Sequence, residues 1–169
     1  MLFRDDDISV HTPLDEFERV HSLFIQAGKL HTIGILAKDI WRNCSLWNYL
    51  LTAPYLEWAL HGWQHERHER VEDVKAALAL LNSRVTPGAN GVRTCLACTP
   101  QPVIPVRYFF PPFNDLSVEL GAFCSRNNLI VDSTFGESPQ CFAFHYWEVN
   151  LYPVVHSQLC QLLGVYNAA

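Results

Sequence analysis

The sequence predicts an α/β fold with a mainly parallel sheet or barrel, in a single domain over residues 1–169. Segments with the apolar pattern of strands alternate with segments of helical spacing along the whole chain, as in sheets whose strands are joined by crossover helices. No linker, low-complexity run or repeat interrupts this alternation. A chain of 169 residues is also long enough to bury one substantial core.

The individual elements follow from apolar spacing and from capping residues. A strand is expected at residues 1–4, ending at the three acids of residues 5–7. A helix should follow, because Thr12 can cap it, Pro13 suits its first turn and Gly28 can end it. The remaining elements expected in order are a strand at 30–37, a helix at 45–58, a strand at 57–65, a helix at 69–85, a strand at 105–114, a helix at 117–128, a strand at 129–133, a strand at 141–149 and a helix at 153–165.

Charge and hydropathy exclude some classes of partner. The net charge is about -5 and no basic run occurs, so nucleic acid is disfavoured as the main partner. No apolar stretch approaches the roughly 20 residues that cross a bilayer, and no secretory leader is visible. The expectation is a cytoplasmic protein with reduced cysteines. Cys95 and Cys98 form a lone CxxC, which could be half of a zinc knuckle or a redox pair but is better explained as small residues in a loop or strand.

Polar side chains follow several of the predicted strands. The acids of residues 5–7, the segment "HGWQH" at 61–65, "PPFN" at 111–114, Asp132 and His145 all come at or just after strand ends. Because functional groups of parallel α/β folds gather at the carboxyl ends of the strands, these loops are expected to meet at one rim.

His61 and His65 are spaced to bind one metal ion. On a helical turn, residues four apart lie on one face, so both imidazoles could contact one cation. Zinc favours histidine nitrogens together with a carboxylate, and Asp5 or Asp6 could supply that carboxylate. Such pairs also occur by chance, so the acid cluster at another strand end is needed to support the site.

Four motifs together resemble those of a known family. "FRDDD", "HGWQH", "FFPPFN" and "FAFH", in this order and at roughly these spacings, resemble the motif series of the polysaccharide deacetylases, carbohydrate esterase family 4 or the NodB-homology domain. The resemblance spans nearly the whole chain. It implies a distorted, incomplete (β/α) barrel and a zinc-dependent hydrolase that removes an acetyl group from the nitrogen of an amino sugar.

The resemblance also implies roles for the catalytic and metal-binding residues. Asp5 matches the catalytic base, and His145, rather than His156, matches the general acid. The residues that match the metal ligands are Asp6, His61 and His65. Nickel, cobalt or iron could occupy such a site in place of zinc.

Further residues are implied in substrate binding. Phe113, between Pro112 and Asn114, matches an aromatic residue whose backbone amide helps to bind the oxyanion. Trp63 and Trp147 could form a wall on which a sugar ring stacks, although aromatic side chains more commonly serve packing.

The sequence departs from the family pattern at three positions. Asp7 follows the acid pair where glycine is usual, and Gly62 stands where serine or threonine is usual. Phe110 occupies the position of an arginine that orients the base, so Arg107 and Asp132 are the candidates for that supporting pair.

Amide hydrolysis accounts for the residue types in these motifs. It needs an activated water, a polarised acyl oxygen and a proton for the departing amine. Two alternatives stay open: an amidohydrolase that acts on a small non-sugar amide, and a catalytically weak relative that binds metal or carbohydrate.

Overall fold

The computed structural model describes residues 1–82, 106–133 and 140–165, and the backbone of residues 83, 86–88 and 91–93. The prediction for Cys95 and Cys98 lies outside the described residues.

The described residues form eight strands. In chain order these are β1 (Leu2–Ile8), β2 (His31–Ile35), β3 (Leu56–Leu60), β4 (Thr86–Gly88), β5 (Gly91–Arg93), β6 (Tyr108–Phe109), β7 (Ile130–Val131) and β8 (Cys141–His145). Six of them pair in parallel in the spatial order β7-β6-β3-β2-β1-β8, while β4 and β5 form a separate antiparallel hairpin. Within the described part of the chain, no pairing joins β7 to β8. The sheet is therefore a curled half-barrel, and the predicted incomplete (β/α) barrel is confirmed.

Six α-helices cover this sheet in the described regions. They are α1 (Leu14–Ala27), α2 (Cys44–Thr52), α3 (Val71–Ser83), α4 (Val118–Arg126), α5 (Tyr146–Leu151) and α6 (Pro153–Leu163). The first is typical: Phe17, Val20 and Phe24 recur at helical spacing and are buried, and Gly28 ends the helix at φ 60°. None of the helices seen here is long and apolar enough to cross a membrane.

Element boundaries differ from the sequence-based expectation at several places. The strands expected at 57–65, 105–114 and 129–133 are shorter, as β3, β6 and β7 show. The strand β1 does not stop at the acids but continues through them to Ile8. The helix α2 ends at Thr52, and Trp58 belongs to β3. The apolar segment predicted as a strand at 141–149 turns into helix α5 after His145, because the Glu148 carboxylate accepts the backbone N–H of His145 and so caps the helix.

Candidate metal centre

The three consecutive aspartates of β1 point in different directions. Residues alternate between the two faces of a strand, so Arg4 and Asp6 share one face and Asp5 lies on the other. Asp7 breaks the alternation: its φ is 66°, and the pairing of β1 with β2 shifts register between Asp5 and Ile8. This bulge is the reason why two adjacent acids, Asp6 and Asp7, both line the same cavity.

Asp7, His61 and His65 converge on one point. Asp7 Oδ1 lies 3.2 Å from Nε2 of His61 and 3.2 Å from Nε2 of His65. One ligand atom from each of the three residues lies within 4.8 Å of the other two. The predicted histidine pair is therefore part of a cluster, but its carboxylate is that of Asp7. The pair also lies in the loop after β3, not on a helical turn.

The chemistry of these three atoms fits a divalent cation. His61 Nδ1 lies 2.7 Å from the carbonyl oxygen of Phe110, and a carbonyl can only accept. The proton of a neutral His61 is therefore on Nδ1, and its Nε2 lone pair faces Asp7. Asp7 Oδ1 is buried, and while the imidazoles are neutral it receives no hydrogen bond from the described residues; only a protonated His61 could donate to it from Nε2. Tetrahedral zinc with ligands at about 2.0–2.1 Å would separate its ligand atoms by roughly 3.3 Å, close to the two distances above.

Protons compete with a cation at this cluster. Burial alone would lower the pKa of His61, but the hydrogen bond to Asp7 and the charges of Asp6 and Asp7 raise it. Burial alone would raise the pKa of Asp7, but the hydrogen bond from His61 and the nearby imidazoles lower it. Because metal binding requires neutral imidazoles, metal affinity should fall in acid.

A glutamate holds the histidine loop in place. The Glu69 carboxylate accepts the backbone N–H of Trp63 at 2.8 Å and that of Gln64 at 3.1 Å. Gly62 has a φ of 100°, and a Cβ there would collide with this carboxylate. Glu69, which lies outside the histidine motif, therefore holds the loop in place. In the family pattern this task falls to a serine or threonine at the position of Gly62.

Asp6 is bound by an arginine and not by the imidazoles. Arg4 donates from Nε to Asp6 Oδ1 at 2.9 Å and from Nη2 to Oδ2 at 2.6 Å. Its Nη1 donates to the backbone carbonyl of Asp132 at 3.0 Å, and its guanidinium lies 4.3 Å from the ring centre of Phe110. The structure therefore groups Asp7, and not the expected Asp6, with the two histidines. Arg107, the other expected support, is exposed, and Asp132 contributes through its backbone.

Asp5 lies outside the cavity. It is 0% exposed, and its Oδ1 accepts the backbone N–H of Tyr146 at 2.7 Å. Its Oδ2 faces Nε2 of His31 at 3.2 Å, on the opposite face of β1 from Asp6. Burial raises the pKa of Asp5 well above its ordinary value. The expectation that Asp5 lies at the cavity is corrected: it is fully buried and is not among the residues that line the cavity.

His145 lies at the cavity, as expected. Its Nε2 is 3.3 Å from Asp7 Oδ2, and its Nδ1 is 3.0 Å from Glu148 Oε2. The indole of Trp147 stacks on its ring, with centroids 5.1 Å apart. The other candidate, His156, instead contacts Cys160 within helix α6.

The cavity has a volume of about 340 Å³. Phe113 and Asn114 line it in a left-handed backbone conformation, each at φ 55°, while Pro112 is buried beneath them. The Phe113 ring lies 4.5 Å from that of His65. Trp63 does not line this cavity but a neighbouring one.

Comparison with known proteins rests on structure alone. No family model matches the sequence, and no curated protein matches it. A family 4 carbohydrate esterase from Bacillus anthracis superposes with a TM-score of 0.64 at 12% identity, over 98% of this chain and 77% of that one. The chain has the fold of carbohydrate esterase family 4.

Two other solved proteins of carbohydrate esterase family 4 also superpose on this chain. A family 4 acetyl xylan esterase from Clostridium thermocellum, solved with a cobalt ion, gives a TM-score of 0.54 at 13% identity, over 98% of this chain and 92% of that one. A family 4 pseudoenzyme from Bacillus anthracis gives 0.52 at 15% identity, over 76% of this chain. The present chain spans only 42% of that longer protein.

Sequence reasoning missed four residues that build this centre: Asp7, Arg4, Glu69 and Glu148. The spacing of Arg4 and Asp6, two apart on a strand, is a signal for the ion pair. The spacing of His145 and Glu148, three apart, is one for a helix cap. No signal in the sequence reveals the bulge that turns Asp7 toward the histidines.

Proposed function

We propose that this chain is a metal-dependent hydrolase that removes an N-acetyl group from an amino sugar or a glycan. The observation that carries the proposal is the meeting, in one cavity, of the Asp7–His61–His65 cluster with a buried carboxylate, Asp6, and a histidine, His145. A binding protein would need the cluster but neither of the other two groups. The family 4 fold supports the same reading.

Asp7, His61 and His65 would hold the cation. Zinc is the expected ion from the ligand types, although cobalt or another divalent ion could occupy the same ligands. When bound there, the cation supplies Lewis-acid polarisation of water and of the acyl oxygen. Phe110 fixes the tautomer of His61 through its carbonyl, and Glu69 fixes the loop between the two histidines.

Asp6 is the proposed general base. It lines the cavity, and Arg4 holds both of its oxygens, so the carboxylate can rotate little. Each oxygen of a carboxylate has a second lone pair that the guanidinium does not use. Asp6 would take a proton from the attacking water as the new C–O bond forms.

His145 is the proposed general acid. The Glu148 carboxylate accepts from its Nδ1, which leaves Nε2 directed into the cavity beside Asp7. As the C–N bond breaks, Nε2–H of the imidazolium would donate a proton to the departing nitrogen. The products would be acetate and a free amine.

The acyl oxygen and the sugar would lie on the opposite wall. The backbone amide near Phe113 is the proposed oxyanion donor, and Phe113, Asn114 and the rim near Trp147 would contact the sugar. Half of the Phe113 side chain is exposed to the cavity and to solvent, as stacking on a pyranose ring requires.

Acetate release from acetylated chitooligosaccharides tests the proposal. The enzyme should release acetate when supplied with zinc or cobalt, and a chelator should abolish the release. In Asp6→Asn the rate should fall by about 10²–10⁴-fold while cobalt still binds. Asp5→Asn is the matched control and should keep most of the activity. If Asp6→Asn stayed fully active and Asp5→Asn were inactive, the assignment of the base would be reversed.

Two other functions predict different outcomes of this assay. A non-catalytic binding protein would bind cobalt without turnover; one neighbour with this fold is a pseudoenzyme, and a mutant of it is described as having restored enzymatic activity. An amidohydrolase for small amides would release acetate from a simple acetamide but not from the oligosaccharide.

A further inference from the structure

Asp6 and Asp7 compete in principle for the same cation. Both carboxylates line one cavity with His61 and His65. A Cβ placed on Gly34 would lie 2.8 Å from Asp6 Oδ1 and 3.3 Å from His61 Cβ, so Asp6 and His61 share the space over that glycine. Carboxylate oxygens are good ligands for divalent cations. An unrestrained Asp6 would therefore turn toward the cation and cease to be available as a base.

Arg4 prevents this rotation by its geometry. Its guanidinium contacts both oxygens of Asp6, at 2.9 and 2.6 Å, in the planar two-pronged arrangement that fixes the carboxylate plane. The arginine is itself immobilised: it is 1% exposed, it donates to the carbonyl of Asp132, and its guanidinium lies 4.3 Å from the ring centre of Phe110.

We propose that Arg4 is a positioning residue that keeps the Asp6 carboxylate out of the coordination sphere of a cation held by Asp7, His61 and His65. The inference rests on the proposed function, because it assigns Asp6 a task that direct coordination would prevent. Arg4 acts through Asp6, because its guanidinium donates to both oxygens of that carboxylate.

Cobalt spectroscopy tests the inference without any turnover. The apo protein is titrated with Co²⁺, and the visible absorption bands, which report coordination number and ligand set, are recorded for wild type, Asp6→Asn, Arg4→Gln and the double variant Arg4→Gln/Asp6→Asn. Wild type and Asp6→Asn should give the same bands, because Asp6 is not a ligand in either. Arg4→Gln should give altered bands and roughly tenfold tighter binding, because the released carboxylate joins the site. The double variant should return to the bands of wild type.

Two additional variants distinguish a change at the metal site from a general loss of stability. Arg4→Lys keeps the charge but offers one ammonium in place of the two-pronged guanidinium, so it should change the bands in the same direction and by less. Leu50→Ala opens a cavity in the core on α2 and changes no residue that lines the site cavity, so it should lower the melting temperature without changing the bands. With an active wild type, Arg4→Gln should lower kcat by about 100-fold and change KM by less than threefold.

The outcomes separate this inference from the proposed function. If the bands of Arg4→Gln and Arg4→Lys match those of wild type, Arg4 does not keep Asp6 off the cation, whatever the activity. If the bands change as expected but wild type releases no acetate, the inference stands and the hydrolase function fails. If no variant binds cobalt, both fail.

Discussion

Replacing Asp5 by Asn should leave the fold intact and change how its stability depends on pH. His21 Nε2 lies 2.9 Å from the carbonyl of Pro54 and must donate to it. His21 Nδ1 faces His31 Nδ1 at 3.1 Å, and His31 Nε2 faces Asp5 Oδ2 at 3.2 Å. With two neutral imidazoles and a carboxylate, one of these two contacts would always join two lone pairs. The buried row of His21, His31 and Asp5 therefore needs one proton more than two neutral imidazoles and an ionised carboxylate carry.

The direction of the pKa shifts places this proton on Asp5. Burial raises the pKa of Asp5 well above its ordinary value and lowers that of His31 well below its own. The folded chain therefore keeps a proton on Asp5 at a pH where the unfolded chain has lost it. Stability contributed by a raised pKa is lost as pH rises, at about 1.4 kcal/mol per pH unit, until the folded state also loses the proton.

Asp5→Asn isolates this effect. The Asn carboxamide can accept the backbone N–H of Tyr146 through Oδ1 and place Nδ2–H, like the O–H of a protonated acid, within 3.2 Å of Nε2 of His31. Over the pH range in which only the folded chain keeps the Asp5 proton, the free energy of unfolding of Asp5→Asn should rise relative to wild type by about 1.4 kcal/mol per pH unit, or roughly 3–6 °C in melting temperature per unit.

The assay is urea unfolding of both proteins at pH 6, 7 and 8 in the presence of a chelator, so that metal release does not contribute. Phe17→Leu, a change in the core beside the same imidazoles, is the matched control and should show the pH dependence of wild type. If the free energies of unfolding of wild type and Asp5→Asn change with pH in parallel, Asp5 is ionised in the folded chain. That result would refute the inference that the folded chain carries an additional proton there.

Three further changes test the surroundings of the centre. Glu148→Ala removes the carboxylate that accepts both the backbone N–H and Nδ1–H of His145, so the rate of acetate release should fall by about tenfold; an unchanged rate would show that other contacts fix the imidazole. Glu69→Gln should weaken cobalt binding by about tenfold, measured by titration, because an NH2 group would replace Oε1 or Oε2, both of which accept the N–H of Trp63 at 2.8 Å; equal affinity would show that the loop is fixed by other contacts. Gly34→Ala should lower the free energy of unfolding by about 1–3 kcal/mol, measured in urea, because its methyl group would lie 2.8 Å from Asp6 Oδ1; unchanged stability would mean that Asp6 can move aside.

The fold could be predicted from the sequence because its signals are repeated along the chain. Alternating strand and helix patterns gave the parallel sheet, and His61, His65 and His145 all follow strands that end at the same edge. Each histidine is placed by the element before it, so small errors in element boundaries did not separate them.

The roles of the acids could not be predicted because they depend on backbone details that residue spacing does not encode. A regular strand would direct Asp7 to the same face as Asp5. The positive φ of Asp7 reverses its direction, and only tertiary contacts decide that Arg4 pairs with Asp6. Motif matching that takes no account of this bulge therefore grouped Asp6, and not Asp7, with the two histidines.

Metal stoichiometry of three single variants tests the central claim most directly. Apo protein titrated with Zn²⁺ or Co²⁺ should bind one equivalent per chain, Asp6→Asn should bind it as tightly as wild type, and Asp7→Asn and His65→Asn should bind it at least 100-fold more weakly. Binding that survives in Asp7→Asn but is lost in Asp6→Asn, or wild-type protein that binds neither ion, would contradict the account.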